Sequence, residues 1–134
     1  MLAGGSNTSA ALRRVTAAAA GFAGALATYA HDVAPAGAGI IGTPWTAAEA
    51  AISAPPPAVG DGATPREALD ACDATDRYVM SLTEAARTVL DPRPRAVAER
   101  GMSGSFSEDL RRRRRTVAEK QAAMTAARTA AIGE

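Results

Sequence analysis

Apolar residues in the first third of the chain recur at alternating spacings of three and four residues. This spacing aligns side chains along one side of a helix, in the period that favours packing against a second helix. The first apolar stripe consists of Leu12, Val15, Ala19, Phe22, Leu26, Tyr29 and Val33. The sequence therefore predicts a long helix at about 9–33, ended by Pro35, and a flexible connector at 36–42.

A second long helix is predicted at about 65–90. Thr64 is a suitable N-cap, Pro65 occupies the first helical position, and Glu67 completes a capping box. The second apolar stripe consists of Leu69, Cys72, Val79, Leu82, Ala86 and Val89, with a gap at Thr75 and Asp76. Because two amphipathic helices can bury their stripes against each other, we expect an antiparallel pair.

Shorter segments complete an all-α prediction for a single domain over 1–134. A short helix at 44–54 places Trp45, Ala48 and Ile52 on one side. Residues 55–63 form a linker rich in proline and glycine. A last helix is predicted at about 107–132, with apolar residues only at every seventh position: Leu110, Val117, Met124 and Ala131. So narrow a stripe predicts a peripheral helix that projects from the domain.

The composition suggests that the chain depends on a partner for part of its core. Hydrophobic residues make up 47% of the 134 residues, but more than half of them are alanine, which buries little surface. A net charge of only +1 argues against disorder of the whole chain. We therefore expect packing with other protein subunits, as a homo-oligomer or in a large hetero-complex.

An arginine run near the last predicted helix is the most conspicuous charged feature: Arg111, Arg112, Arg113, Arg114 and Arg115. Five consecutive helical residues turn through more than a full circle, so these side chains cannot all face one partner. Glu108, Asp109 and Glu119 lie beside them, and no aromatic residues alternate with them. A solvated face, an acidic protein or a phospholipid surface is therefore favoured over nucleic acid.

The candidate partner-binding residues are Leu12, Val15, Phe22, Leu26, Tyr29, Trp45 and Arg111 to Arg115. No catalytic, cofactor-binding or metal-ligating residues are predicted. His31 and Cys72 are the single histidine and the single cysteine, and the glycines at 37–42 lack the lysine of a phosphate-binding loop. We therefore expect no enzyme.

The N-terminal segment also has features of a targeting signal. It carries no acidic residue before Asp32, and Arg13 and Arg14 precede a run of small apolar residues. Ala25-Leu26-Ala27 is typical of a signal-peptide cleavage site, and an organellar transit peptide fits equally. In that alternative the first 27 to 34 residues are removed. The apolar run is too short and too rich in alanine for a transmembrane span.

The two long helices with a tryptophan between them resemble the small alanine-rich helical hairpins exported by actinobacterial type VII secretion systems. That family carries a tryptophan-x-glycine turn, whereas Trp45 is followed here by Thr46 and Ala47. Its export signal places an acidic residue four positions after a tyrosine, where this chain has Val33 and Leu82. The resemblance implies a secreted helical hairpin.

The leading hypothesis is a non-catalytic structural or assembly subunit that acts through helix packing in a larger complex. Such a complex is a virion, or a bacterial or organellar assembly with this chain as an accessory subunit. One alternative is a secreted or targeted helical protein. Another is a nucleic-acid-associated protein that uses Arg111 to Arg115. The sequence assigns no compartment.

Overall fold

The computed structural model describes residues 5–133, and this range contains five helices and no strand. The helices are α1 (Gly5–Ile41), α2 (Thr43–Ser53), α3 (Pro65–Val89), α4 (Pro92–Ala98) and α5 (Gly104–Gly133). The predicted all-α class is confirmed.

α1 is longer than predicted. It continues through Pro35 to Ile41, so the prediction that Pro35 ends the helix and that 36–42 is a connector is wrong. Pro35 lies on the exposed side of α1, where water can reach the backbone carbonyl that its ring leaves unpaired. Beyond it, Gly37 is buried against Trp45 of α2, and this packing holds the last turns in place. The chain then turns at Gly42, whose φ is 77°.

α1 is the central helix, and each of the other four packs against it. All seven residues of the first apolar stripe are buried, with exposed fractions between 0% and 7%. On α2, the predicted inner side of Trp45, Ala48 and Ile52 is buried as well. The hydrophobic core of the chain is therefore built around the stripe from which the first helix was predicted.

α5 is the antiparallel partner of α1. Lys120 lies beside Gly21, and Arg113 contacts Asp32 further along α1, so the residue numbers of the two helices run in opposite directions. α5 buries the predicted narrow stripe, Leu110, Val117, Met124 and Ala131, but it lies along α1 instead of projecting. Residues seven positions apart lie on about the same side of a helix, and the residues seven and fourteen positions before Asp32 on α1 are Ala25 and Ala18. Their small side chains let the backbones of α1 and α5 approach each other closely.

α3 also packs against α1, but its direction differs from the predicted antiparallel pair. Val79 shares a cleft with Leu12, whereas Arg95, which follows α3, lies close to Tyr29 in the second half of α1. α3 therefore runs parallel to α1. The reason is the connection: α2 and the linker return the chain to the beginning of α1.

The linker is held there by Arg13. Its guanidinium donates to the carbonyl oxygens of Val59 and Gly60, at 3.2 and 3.1 Å, and contacts Asp61 at 3.2 Å. A linker anchored beside the start of α1 delivers the chain into α3 at the same end of the bundle. Arg13 thus contributes to setting the direction of α3.

The start of α3 forms as predicted, but its first turns are not buried as predicted. The Glu67 amide donates to the Thr64 hydroxyl at 3.1 Å, and the Glu67 carboxylate accepts from the Ala63 amide at 3.0 Å. Leu69, however, is 60% exposed, and Cys72 is only partly buried. No Cα of α3 lies within 8 Å of a Cα of α5 in the described part of the chain, so this side of α3 lacks a covering helix.

None of the helices over residues 5–133 combines the length and the apolar character that a membrane crossing requires.

Candidate functional site

α4 and the start of α5 bring four residues of the arginine run together with a fifth arginine. The chain turns back after α4 at Gly101, whose φ is 72°, and places Arg95 opposite the first turns of α5. The resulting arginine cluster consists of Arg95, Arg111, Arg112, Arg114 and Arg115. These residues line a concave surface of about 550 Å³ together with Glu108 and Ala118.

Carboxylates neutralise only part of the arginine cluster. Arg112 contacts Asp109 at 2.7 Å, and Arg95 contacts Glu99 at 2.9 Å. In the part of the chain that the structure describes, neither Arg111 nor Arg115 has a carboxylate within ion-pair distance. The concave surface therefore presents two guanidinium groups whose hydrogen-bond donors are available to an anion.

Glu99 helps to fix the shape of this surface. A hydrogen bond from Ser107 is the main cause that lowers the pKa of Glu99, and the charges of Arg95 and Arg111 lower it further. The ionised Glu99 carboxylate thus links α4 to the first turn of α5. α5 begins at Gly104, three residues before the predicted start of the last helix at about 107.

Arg113 lies on a different side of α5 from the arginine cluster. Its guanidinium contacts the Asp32 carboxylate of α1, and both side chains are partly buried, at 34% and 17% exposed. This division follows from the helical geometry of five consecutive residues. Arg113 therefore joins α5 to α1, while Arg111, Arg112 and Arg115 are exposed.

Tyr29 connects the arginine cluster to the core. Its ring is fully buried in α1, and burial raises the pKa of its hydroxyl, although the positive charges of Arg114 and Arg95 act in the opposite direction. The hydroxyl consequently stays protonated at neutral pH, next to the two guanidinium groups. The cluster thus lies over a packed and rigid part of the bundle.

The apolar residues predicted to bind a partner are in the chain's own core. Leu12, Val15, Phe22, Leu26, Tyr29 and Trp45 are all buried, and helices of the same chain cover them. Tyr29 is the one among them that lies next to the arginine cluster. The structure therefore separates the predicted residues into a core set and a surface set.

A second concave feature, the α3–α5 cleft, was not predicted. It has a volume of about 340 Å³ and lies where α3 and α5 diverge over the first half of α1. Its walls are mainly apolar, and its lining includes Leu12, Val15, Thr75, Val79, Ala131 and Ile132. The sequence contains one sign of this cleft, the gap in the second apolar stripe at Thr75 and Asp76, because both residues line it.

No group of three or more histidine, cysteine, aspartate or glutamate side chains within residues 5–133 is arranged to hold a metal ion. His31 is 88% exposed, and its Nδ1 lies 3.7 Å from Oδ1 of Asp32.

No family model matches the sequence, and comparisons with curated proteins and with solved structures also found no match.

Proposed function

We propose that this chain is a non-catalytic helical subunit of a larger assembly and that its arginine cluster binds an acidic protein partner. The observation that carries the proposal is the concave surface with five arginines, of which Arg111 and Arg115 have no carboxylate within ion-pair distance among the described residues. Guanidinium groups bind carboxylates through paired, charge-assisted hydrogen bonds. An acidic surface segment of a partner would supply these carboxylates.

The proposal places the partner on the surface of the bundle and not in the first apolar stripe. Phe22, Leu26 and Tyr29 of the stripe are fully buried under helices of the same chain, so a partner protein has no access to them without unfolding. Leu12 and Val15 line only the small α3–α5 cleft. Helix packing within the chain instead supports the binding surface, because α4 and α5 both pack against α1 and the buried Tyr29 of α1 lies close to Arg95 and Arg114.

Acidic protein is favoured over nucleic acid because the site lacks the features that bind bases and an extended backbone. Trp45, Tyr29 and Phe22 are fully buried, and no aromatic side chain lines the concave surface. Glu108 lines it, and Asp109 pairs with Arg112. These carboxylates interrupt the positive field that binding to a phosphate backbone requires.

The experiment measures binding of fluorescently labelled poly-L-glutamate to the full chain at low and at physiological ionic strength. The double variant R111Q/R115Q is expected to weaken binding by about tenfold, because it removes two charge-assisted contacts. The double variant R66Q/R77Q is the matched control. It removes the same charge from exposed positions on α3, outside the cluster, and is expected to leave binding nearly unchanged.

Absence of binding at low ionic strength, or an equal loss in both double variants, would contradict the proposal. Single-stranded DNA and phosphatidylserine vesicles are the competing probes. If either binds more tightly than poly-L-glutamate with the same dependence on Arg111 and Arg115, the partner is not an acidic protein. Light scattering coupled to size exclusion then shows whether the chain alone forms an oligomer of defined mass.

A further inference from the structure

The α3–α5 cleft is independent of the arginine cluster and belongs to the opposite end of α1. Its floor is formed by Leu12 and Val15, and its walls by Val79 of α3 and by Ala131 and Ile132 of α5. The volume of about 340 Å³ falls within the range of small-molecule sites, which are mostly apolar with a few placed polar groups.

The uncharged polar group of this cleft is the hydroxyl of Thr75. Thr75 is only 3% exposed, and its Oγ1 has no hydrogen-bond partner among the described residues. Four helical threonines donate their hydroxyls to the carbonyl four residues earlier: Thr16, Thr28, Thr83 and Thr116. Thr75 makes no such bond. The hydroxyl of Thr8 is also buried without a partner within residues 5–133, but Thr8 does not line the cleft. A buried hydroxyl without a partner is costly, and a bound molecule that hydrogen-bonds to it would remove that cost.

An ion pair spans the cleft between its two walls. Nε and Nη2 of Arg128 lie 3.0 and 2.7 Å from Oδ1 of Asp76, and this pair joins α5 to α3 where their backbones do not approach each other. Asp73 also lines the cleft and has no ion-pair partner in the described chain. The lining therefore carries one more negative than positive charge, which disfavours an anionic ligand.

From the apolar walls, the unpaired Thr75 hydroxyl and the charge of the lining, we infer that the cleft binds a small neutral molecule with an apolar body and one hydroxyl group. The apolar body lies on Leu12, Val15 and Val79, and its hydroxyl forms a hydrogen bond with Thr75. Alcohols of medium chain length have this chemistry, and 1-octanol is a suitable probe.

Cys72 provides the measurement, because it is the single cysteine of the chain and it lines the cleft. Burial, together with the charges of Asp73 and Asp76, raises the pKa of its thiol, so alkylation by N-ethylmaleimide is followed at mildly alkaline pH by mass spectrometry. A molecule in the cleft covers the thiol. We expect 1-octanol to slow the alkylation by at least about fivefold and in a saturable manner, with Trp45 fluorescence unchanged as the control for folding.

The variant Thr75→Val keeps the shape of the side chain and removes the hydroxyl. It is expected to raise the 1-octanol concentration for half-protection by about fivefold to tenfold, the effect of one lost hydrogen bond. Thr83→Val is the matched control: Thr83 lies two turns further along α3, donates to the Val79 carbonyl at 2.9 Å and does not line the cleft. This control is expected to leave the protection unchanged.

Octanoate has the same alkyl chain with a negative charge and is expected to protect Cys72 less than 1-octanol does. The inference is overturned if 1-octanol gives no saturable protection, if Thr75→Val is protected as well as the unmodified chain, or if octanoate protects better. It is also overturned if alkylation without any ligand slows as the protein concentration rises, because a second copy of the chain then covers the cleft.

Discussion

The buried face of Gly37 lies directly against the indole ring of Trp45, and no side chain fits between them. A β-carbon at position 37 would lie 2.5 Å from Cδ2 of Trp45 and 2.6 Å from Cε2 and Cε3. We predict that Gly37→Ala destabilises the fold by about 1–3 kcal/mol, since the ring is fully buried and has no space to move into. Urea unfolding, followed by circular dichroism, measures this change.

Gly39→Ala is the matched control for this prediction. Gly39 is in the same helix, is exposed and has no atom within 4 Å of a β-carbon at its position. The substitution is expected to stabilise the protein by about 0.5–1 kcal/mol, because alanine is the better helix former. Equal effects of the two substitutions would show that the contact between Gly37 and Trp45 is not tight.

Arg113 is predicted to contribute to stability, unlike its neighbours in the arginine run. Arg113→Gln leaves the partly buried Asp32 carboxylate without its partner and is expected to cost about 1–3 kcal/mol. Arg112→Gln removes an exposed pair within one helix and is expected to cost less than about 0.5 kcal/mol. Thermal unfolding of the two single variants tests this difference. Arg112→Gln should unfold at a clearly higher temperature than Arg113→Gln, and the opposite order would contradict the prediction.

The cap of α4 is predicted to be sensitive to acid. Asp91 accepts a hydrogen bond from the Arg93 amide at 2.9 Å and pairs with its guanidinium at 2.8 Å, and these contacts lower the pKa of Asp91 from 3.8 to about 2. Because the pKa is lower in the folded chain, the ionised carboxylate stabilises the fold above pH 4, and this stabilisation is lost as the pH falls towards 2.

Asp91→Asn is therefore expected to reduce the free energy of unfolding at neutral pH. The difference from the unmodified chain should become smaller between about pH 4 and pH 2, where the carboxyl group of the unmodified chain becomes protonated. Urea unfolding at a series of pH values measures it. A difference that is constant over this interval would mean that the Asp91 charge does not contribute.

Trp45 is predicted to report on unfolding. It is the single tryptophan and is fully buried, so its emission maximum should lie at short wavelength and move to longer wavelength in urea. Its indole nitrogen has no hydrogen-bond partner among the described residues. Trp45→Phe breaks no hydrogen bond and should cost clearly less than the roughly 3–5 kcal/mol expected for Trp45→Ala. Comparable losses of stability in Trp45→Phe and Trp45→Ala would contradict the finding that the indole nitrogen makes no hydrogen bond.

The helices of this chain were largely predictable, because their signals are local. The first apolar stripe identified α1, and Thr64 with Glu67 marked the start of α3. Pro35 was misleading, since a proline on the exposed side of a helix is tolerated when later residues such as Gly37 are held by packing. That packing involves a different helix and is not visible in the local sequence.

The arrangement of the helices was harder to predict, because it depends on contacts between distant residues. The parallel direction of α3 depends on the return path of the linker, which Arg13 anchors at Val59 and Gly60. The arginine run was visible in the sequence, but the addition of Arg95 to it depends on the turn at Gly101. The α3–α5 cleft results from two helices whose backbones do not approach each other. The gap in the second apolar stripe at Thr75 and Asp76 marked the α3 side of the cleft, but no local pattern indicates that α5 leaves this side uncovered.

The central position of α1 has a consequence for how the chain could be processed. Every other helix packs on α1, whereas α3 and α5 have no backbone contact with each other in the described range. Proteolytic removal of the first 27 to 34 residues would leave these two helices without the surface that joins them. A molecule from which this N-terminal targeting segment has been cleaved therefore cannot have the fold described here. A processed form of this chain would have to refold around a different core.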